Sequence, residues 1–98
     1  MDWRLVWTQK ASEDVEAIVR YISRHNRNAA VEVGRGIFDR AQILLKHQQS
    51  GSILKELDDP FIRKVIYRNW KIVYQYSETE GVVAILRVWH VARGEVDL

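Results

Sequence analysis

The chain has 98 residues, enough for one small domain and too few for two hydrophobic cores, so we predict a single domain over residues 1–98. Hydrophobic residues make up 47% and charged residues 29%, close to the average of folded proteins, so the composition does not indicate a disordered chain. A net charge of +2 is too small to indicate nucleic-acid binding by itself. The absence of cysteine excludes disulfides and thiolate metal sites, and it fits a reducing compartment.

The first predicted element is a short strand near the start of the chain. Trp3, Leu5 and Trp7 alternate with less apolar residues, so they share one side of a pleated segment. Thr8 follows at once and is a suitable N-cap for a helix.

Two helices are predicted next. Apolar residues recur three and four positions apart from about Gln9 to His25, which is typical of an amphipathic helix. After a short polar break, in which Asn26 or Asn28 can act as N-cap, the same spacing continues to about His47. Because the break is short, we expect the helices to form an antiparallel hairpin.

Strand-like segments occupy the second half. The short segment Ile53–Leu57 precedes Ile62–Arg68, Trp70–Ser77 and Val82–His90, with turn residues between them. The main elements follow the order β-α-α-β-β-β, which predicts an α+β fold with the N-terminal strand and the helical hairpin on a twisted, mainly antiparallel sheet. The residues expected in the core are Leu5, Val15, Ile18, Ile22, Ile37, Leu44, Ile72, Tyr74, Ile85 and Leu86.

The first residues contain no signal peptide pattern, because no long apolar run follows a basic segment. The longest apolar stretch, Gly81 to Leu86, is far shorter than the ~20 residues that span a bilayer. We therefore expect a cytoplasmic protein with no membrane contact.

Most catalytic motifs are missing from the sequence. It contains no glycine-rich phosphate loop and no serine nucleophile elbow, and His25, His47 and His90 are scattered along the chain. We therefore predict neither a metal site nor a cofactor.

The distribution of charge is more informative than its sum. From Phe61 to Tyr76 the chain has four cations and no carboxylate, while acidic residues stand on either side. If the strands here are adjacent, the cations meet beside two aromatic residues on the face that the helices leave open. The candidate site residues are Arg63, Tyr67, Arg68, Lys71, Arg87, Trp89, His90 and Arg93.

Three explanations of this cluster remain open. Arginines clamp phosphate and histidine moves protons near neutral pH, which is the inventory of a metal-free ribonuclease. The same cations suit docking of an acidic protein. Alternatively, they have no ligand and only cover strand edges with their stems, which discourages aggregation.

The ordered segments resemble the RelE/ParE toxins of bacterial type II toxin–antitoxin modules along nearly the whole chain. The matching pieces are Ala11-x-x-Asp14-x-x-x-Ile18-x-x-Tyr21-Ile22, Asn28-Ala29-Ala30, Ala41-x-x-Leu44-Leu45, Gly51, Lys55-Glu56-Leu57, Arg63-x-x-x-Tyr67, Ile72-Val73-Tyr74 and Ile85-Leu86-Arg87-Val88-Trp89-His90-x-x-Arg93. The long helical pair and the last of these pieces look closer to ParE. The sequence also lacks the tyrosine that many RelE-like nucleases carry after the position of His90.

The resemblance implies a growth-inhibiting toxin, of the kind associated with plasmid stabilisation, that inhibits DNA gyrase and forms a hetero-oligomer with a ParD-like antitoxin. A first alternative is a RelE-like, ribosome-dependent mRNA endoribonuclease, in which Arg63, Arg87 and His90 match positions used by nucleolytic relatives. A second alternative is an inactive member that only binds its antitoxin.

Overall fold

Two helices pack on one face of a five-stranded mixed sheet in the computed structural model, which describes residues 2–98. Met1, the first residue of the predicted domain, lies outside the described residues. The elements are β1 Arg4–Trp7, α1 Gln9–Ser23, α2 Arg27–Gln42, β2 Ser52–Ile53, β3 Ile62–Tyr67, β4 Trp70–Ser77 and β5 Val82–His90, with 3₁₀ turns at Ile43–Leu45 and Val91–Arg93. The predicted α+β fold is confirmed.

Both helices begin where the sequence predicts. The side chain of Thr8 accepts a hydrogen bond from the Ala11 N–H, and that of Asn26 accepts one from the Ala29 N–H, so Asn26 rather than Asn28 is the second N-cap. The second helix ends at Gln42, before the predicted limit, and the 3₁₀ turn completes it. Within residues 2–98, no helix is long and apolar enough to cross a membrane.

The sheet has the strand order β1-β5-β4-β3-β2. Only β1 runs parallel to its neighbour, with Trp7 opposite Ile85 at its end, and the other pairs of the described chain are antiparallel. The predicted segment Ile53–Leu57 is wrong as a strand beyond its first residue. Register pairing with β3 ends at Ile53, and one more bond joins the Leu54 N–H to the Ile62 carbonyl. The chain then turns, with the Leu57 N–H donating to the Leu54 carbonyl.

An irregularity between β4 and β5 decides which way the end of β5 faces. Val73 lies opposite Arg87, but Tyr74 lies opposite Ile85, so Leu86 has no partner on β4. Such a bulge shifts the alternation of side chains by one residue. As a result Ile85 and Val88 both face the helices, three residues apart.

The core lies between the helices and the sheet. Of the residues expected there, Ile37, Leu44, Ile72, Tyr74 and Ile85 are fully buried. Leu5, Val15, Ile18 and Ile22 are half-buried and pack against this core. The expectation for Leu86 is wrong, because it lies unpaired at the bulge, half-buried and outside the core cluster. A domain of this size has too little interior to bury every apolar residue of its first helix completely.

Asp14 fastens α1 to β5 just beyond the end of β1. Its carboxylate accepts hydrogen bonds from Nε and Nη2 of Arg87, at 2.8 and 2.9 Å, and from the Val88 N–H at 2.9 Å. Both side chains of the ion pair are mostly buried, with 13% and 14% of their surface exposed. Since β1 ends opposite Ile85, Asp14 satisfies a strand-edge donor that no neighbouring strand reaches.

Tyr74 carries a hydroxyl group on a side chain that is fully buried in the core. Its hydroxyl donates to the Gln48 carbonyl at 2.7 Å and accepts from the Gly51 N–H at 3.0 Å, which ties the loop after α2 to the sheet. A Cβ at Gly51 would lie 2.5 Å from the Lys64 carbonyl oxygen, so only glycine fits this close approach. Burial raises the pKa of Tyr74 above its ordinary value.

We expect Tyr74→Phe to lower the free energy of unfolding by about 1–3 kcal/mol, because the buried Gly51 N–H loses its acceptor. Tyr21→Phe is the matched control, since Tyr21 is 64% exposed, and it should change stability by less than about 0.5 kcal/mol.

The raised pKa of Tyr74 also predicts a pH dependence of stability. Above pH ~10 the Tyr74 hydroxyl stays protonated in the folded state but loses its proton in the unfolded state, so its contribution to the free energy of unfolding falls. Denaturant unfolding should therefore show the difference between the Phe variant and the unchanged chain narrowing there.

We expect Asp14→Asn to cost about 2–4 kcal/mol of unfolding free energy, because Arg87 then keeps a mostly buried charge without a carboxylate. Glu13→Gln, the exposed neighbour on the same helix, should stay within about 0.5 kcal/mol. Thermal or denaturant unfolding of the two variants measures the difference. Equal stability of Asp14→Asn and Glu13→Gln would contradict a structural role for the ion pair.

Candidate functional site

Four of the predicted site residues come together near the end of β5, on the face of the sheet opposite the helices. Trp89 lies across from Lys71 on β4, and it is 5% exposed. The guanidinium carbon of Arg87 lies 4.9 Å from the centre of the Trp89 ring, and that of Arg93 lies 3.6 Å from it. These contacts are within the range of cation–π attraction. We call Lys71, Arg87, Trp89 and Arg93 the Trp89 surface.

Arg63 and Tyr67 do not belong to that surface, and the expectation that all the cations meet on the open face is wrong. Both side chains project from β3 toward the helices, because Arg63 is paired with the buried Tyr74. The Arg63 guanidinium donates to the Gln49 and Gly51 carbonyls, at 3.3 and 3.0 Å, and so holds the loop before β2.

Tyr67 packs under α2. A Cβ at Gly36 would fall 1.9 Å from the Tyr67 hydroxyl oxygen, so the helix can cross this ring only where it has no side chain. The other glycine of α2, Gly34, faces α1, since a Cβ there would lie 3.2 Å from Val19. Gly34 therefore permits close packing of the two helices, whereas Gly36 permits close packing on the sheet.

Arg68 lies in the turn between β3 and β4, apart from the other cations. Its φ of 51° is left-handed, which the two-residue turn requires. The guanidinium forms an ion pair with Glu32 of α2 and lies 5.4 Å from the Tyr67 ring centre. The hydrogen bond to Glu32 raises the pKa of Arg68 above its ordinary value, so this cation has an internal partner.

His90 faces the helices at the last position of β5. Its ring contacts Trp70 edge-on, with 5.8 Å between the ring centres, and its Nδ1 accepts a hydrogen bond from the Ala92 N–H at 3.0 Å. Accepting that bond requires an unprotonated Nδ1. His90 therefore caps the 3₁₀ turn Val91–Arg93 and lies away from Arg63.

An open groove of about 420 Å³ runs between α1 and the ends of β4 and β5. Its floor is apolar, and charged or polar groups stand at its rim. The lining residues are Asp14, Ala17, Ile18, Tyr21, Ile22, Trp70, Val88, His90 and Arg93. Sequence analysis missed Asp14, Tyr21 and Trp70 as site residues. The spacing of Asp14, Ile18 and Tyr21 along one side of the predicted first helix was the signal that could have found the first two.

A second groove, of about 400 Å³, crosses the helical hairpin beside β1. It is mainly apolar, and Phe38 on its rim is 49% exposed and stacks on Trp7 with 6.4 Å between ring centres. Its other lining residues are Ser12, Val15, Gly34 and Ile37. Large exposed aromatic residues beside apolar grooves are typical of protein docking surfaces.

Arg87 is held by partners within the fold. The hydrogen bonds that its guanidinium donates to Asp14 raise the pKa of Arg87 above its ordinary value, and two of its three guanidinium nitrogens are already engaged there. Among residues 2–98 there is no cluster of three histidine or acidic residues that could hold a metal ion.

Comparisons with known proteins agree with this fold. The structure of a chromosomal ParDE toxin–antitoxin system from P. aeruginosa is similar with a TM-score of 0.71 and 21% identity, over 91% of this chain and 96% of that one. The RelBE2 toxin–antitoxin complex from Mycobacterium tuberculosis has a TM-score of 0.53 and 20% identity, over 92% of this chain and 99% of that one. The E. coli DinJ–YafQ toxin–antitoxin complex has a TM-score of 0.56 and 13% identity, over 96% of this chain and 98% of that one. At these identities the likeness shows a shared fold.

The search of curated proteins found no match to the chain. The sequence does match, over residues 5–94, the family model for the ParE toxin of the parDE type II toxin–antitoxin system. That match covers both helices and all the strands from Leu5 onward, so the chain belongs to the family of ParE toxins of type II toxin–antitoxin systems.

Proposed function

We propose that the chain is a ParE-like toxin that inhibits DNA gyrase and is neutralised in a hetero-oligomer by a ParD-like antitoxin. Membership of the ParE family supports the proposal, and so does the higher TM-score with the ParDE structure, 0.71, than with the RelBE2 and DinJ–YafQ complexes.

The observation that carries the choice of target is the separation of the three residues that a nuclease would need. Arg87 is bound by Asp14 at the edge of the sheet, and Arg63 is bound by loop carbonyls on the helix-facing side of β3. His90 accepts a backbone hydrogen bond through Nδ1. A ribonuclease places its base, its acid and its phosphate-binding cations around one scissile bond. This geometry favours inhibition by binding over RNA cleavage.

The antitoxin is expected to use the two grooves beside the helical hairpin. Both have apolar floors, and both have an exposed aromatic residue at the rim, Tyr21 in one and Phe38 in the other. An amphipathic helix fits such a groove, with acidic residues directed toward Arg93 at the rim. A partner that folds on binding can follow both grooves at once, which gives an interface well above the ~1,600 Å² of standard complexes.

We expect the purified toxin to lower the supercoiling activity of gyrase and to leave ribosome-bound mRNA uncut. Agarose gels of relaxed plasmid with gyrase, and primer extension on mRNA with ribosomes, measure the two activities on the same preparation. Cleavage of mRNA that is lost in Arg87→Ala and His90→Ala would contradict the proposal and favour the nuclease. If the toxin neither inhibits gyrase nor cuts mRNA but still binds the antitoxin, the result would favour the inactive member.

We expect the product of the neighbouring reading frame to co-purify with this chain, and Tyr21→Ala to weaken that complex at least about tenfold, because a large aromatic contact is removed from the rim of the groove. Ile66→Ala is the matched control, since Ile66 is 49% exposed on β3 and projects away from the helices. Calorimetric titration gives both affinities, and added salt should slow association more than it speeds dissociation.

A neighbouring product that neither co-purifies with the chain nor relieves its growth inhibition would overturn the antitoxin assignment. Equal weakening by Tyr21→Ala and Ile66→Ala would instead contradict the placement of the antitoxin in the α1 groove.

A further inference from the structure

The indole nitrogen of Trp89 is the only buried side-chain nitrogen or oxygen atom of residues 2–98 that has no hydrogen-bond partner. Nearly all buried polar groups in native proteins are paired, because a donor removed from water without an acceptor costs free energy. An unpaired donor of this kind, on a residue only 5% exposed, indicates an acceptor that is supplied from outside the isolated fold.

Three cations lie near the indole ring that carries this unpaired donor. Arg93 and Arg87 lie over the indole, and Lys71 is its neighbour on β4. The sheet residue between them, Val73, is fully buried, so the cations stand on an apolar floor. A ligand here would meet positive charge at the rim and an N–H donor beneath it.

Residues 94–98 already lie against this surface. Lys71 Nζ donates to the Gly94 carbonyl at 3.0 Å, and Arg87 Nη1 donates to the Asp97 carbonyl at 2.6 Å. A third bond, from Lys10 Nζ to the Leu98 carbonyl at 3.0 Å, holds the segment farther along. The segment carries two acidic residues, yet within residues 2–98 neither Glu95 nor Asp97 has an ion pair. The held segment is thus an acidic peptide bound through its backbone alone.

We propose that the Trp89 surface is a binding site for an acidic peptide segment of a partner protein, and that residues 94–98 occupy it in the isolated chain. The partner's carboxylates would pair with Lys71 and Arg93, and one of its oxygen atoms would accept the Trp89 Nε1–H. The chain's own segment gives Lys71 and Arg87 only backbone carbonyls and leaves the indole donor unpaired, so a better-matched peptide displaces it. The inference holds whether or not gyrase is the target.

Peptide fits this surface better than nucleic acid does. The adjoining depression, of about 480 Å³, is lined by Lys55, Lys64 and Lys71 but also by Glu56, which stays in place when residues 94–98 are displaced. This carboxylate would repel a continuous phosphate backbone, whereas a peptide can place its acidic residues away from it.

Gly94 offers a way to loosen the bound segment within the full chain. Its φ is +76°, in a region that alanine adopts only with strain, and an added Cβ would meet no atom within 4 Å. Gly94→Ala therefore opposes the bound conformation without a clash. Lys10→Ala removes the third bond of the segment and leaves the Trp89 surface unchanged, with Lys46→Ala as an exposed lysine control.

The experiment titrates each full-length, ¹⁵N-labelled chain with the end-blocked peptide Gly-Glu-Val-Asp-Leu and with its neutral analogue Gly-Gln-Val-Asn-Leu. The four tryptophans give four indole N–H signals in the ¹H–¹⁵N NMR spectrum. The Trp89 signal reports on the site, and the other three report on the fold. We expect the acidic peptide to move the Trp89 indole signal downfield, as its N–H gains an acceptor. Affinity should rise at least about fivefold in Gly94→Ala and in Lys10→Ala, because the competing segment is released, and remain unchanged in Lys46→Ala.

Three results would overturn the proposal. One is a Trp89 signal that neither peptide moves in any variant. Another is equal binding of the acidic and neutral peptides, which would remove the role of charge. The third is a single-stranded oligonucleotide moving this signal where the acidic peptide does not, which would make the surface a nucleic-acid site. If Gly94→Ala does not fold, the comparison of Lys10→Ala with Lys46→Ala decides the question.

Discussion

The carboxylate of Asp14 is the contact that holds the helical layer in place at the functional end of the molecule. β1 stops opposite Ile85, so the rest of β5 would leave an open edge. Asp14 accepts the Val88 N–H of that edge and binds the Arg87 guanidinium in the same place. Together with the apolar contacts of α1 on the core, this side chain fixes the distance between the walls of the groove between α1 and β5.

Pairing within the fold limits what the arginines near the strands can bind. Three of the arginines that were candidate site residues have an acceptor within the fold: loop carbonyls for Arg63, Glu32 for Arg68, and Asp14 for Arg87. Cations that are already paired gain less from a phosphate than free ones, since binding must first break an existing bond. This pairing is the physical ground on which we favour inhibition by binding over RNA cleavage.

The secondary structure was largely predictable because it depends on local periodicity. The three- and four-residue spacing and the Thr8 cap predicted α1, and Ile72 and Tyr74 of β4 were among the residues expected in the core. Where local signals were weak, prediction failed: Ile53–Leu57 has a strand composition, but its pairing with β3 ends at Ile53 and only contacts across the fold decide that. The resemblance to RelE/ParE toxins, based on ordered motifs, was confirmed by the family match.

The sequence by itself determined the fold class, the helical hairpin and the family. It predicted one cluster of eight candidate site residues, of which the fold brings Lys71, Arg87, Trp89 and Arg93 together. Tertiary structure alone decided which face each cation occupies. A bulge that leaves Leu86 unpaired reverses the alternation in β5, and the pairing of Arg63 with Tyr74 directs it toward the helices. Side-chain direction in a sheet depends on register, and register is set by pairing between strands that are distant in sequence, which no local pattern contains.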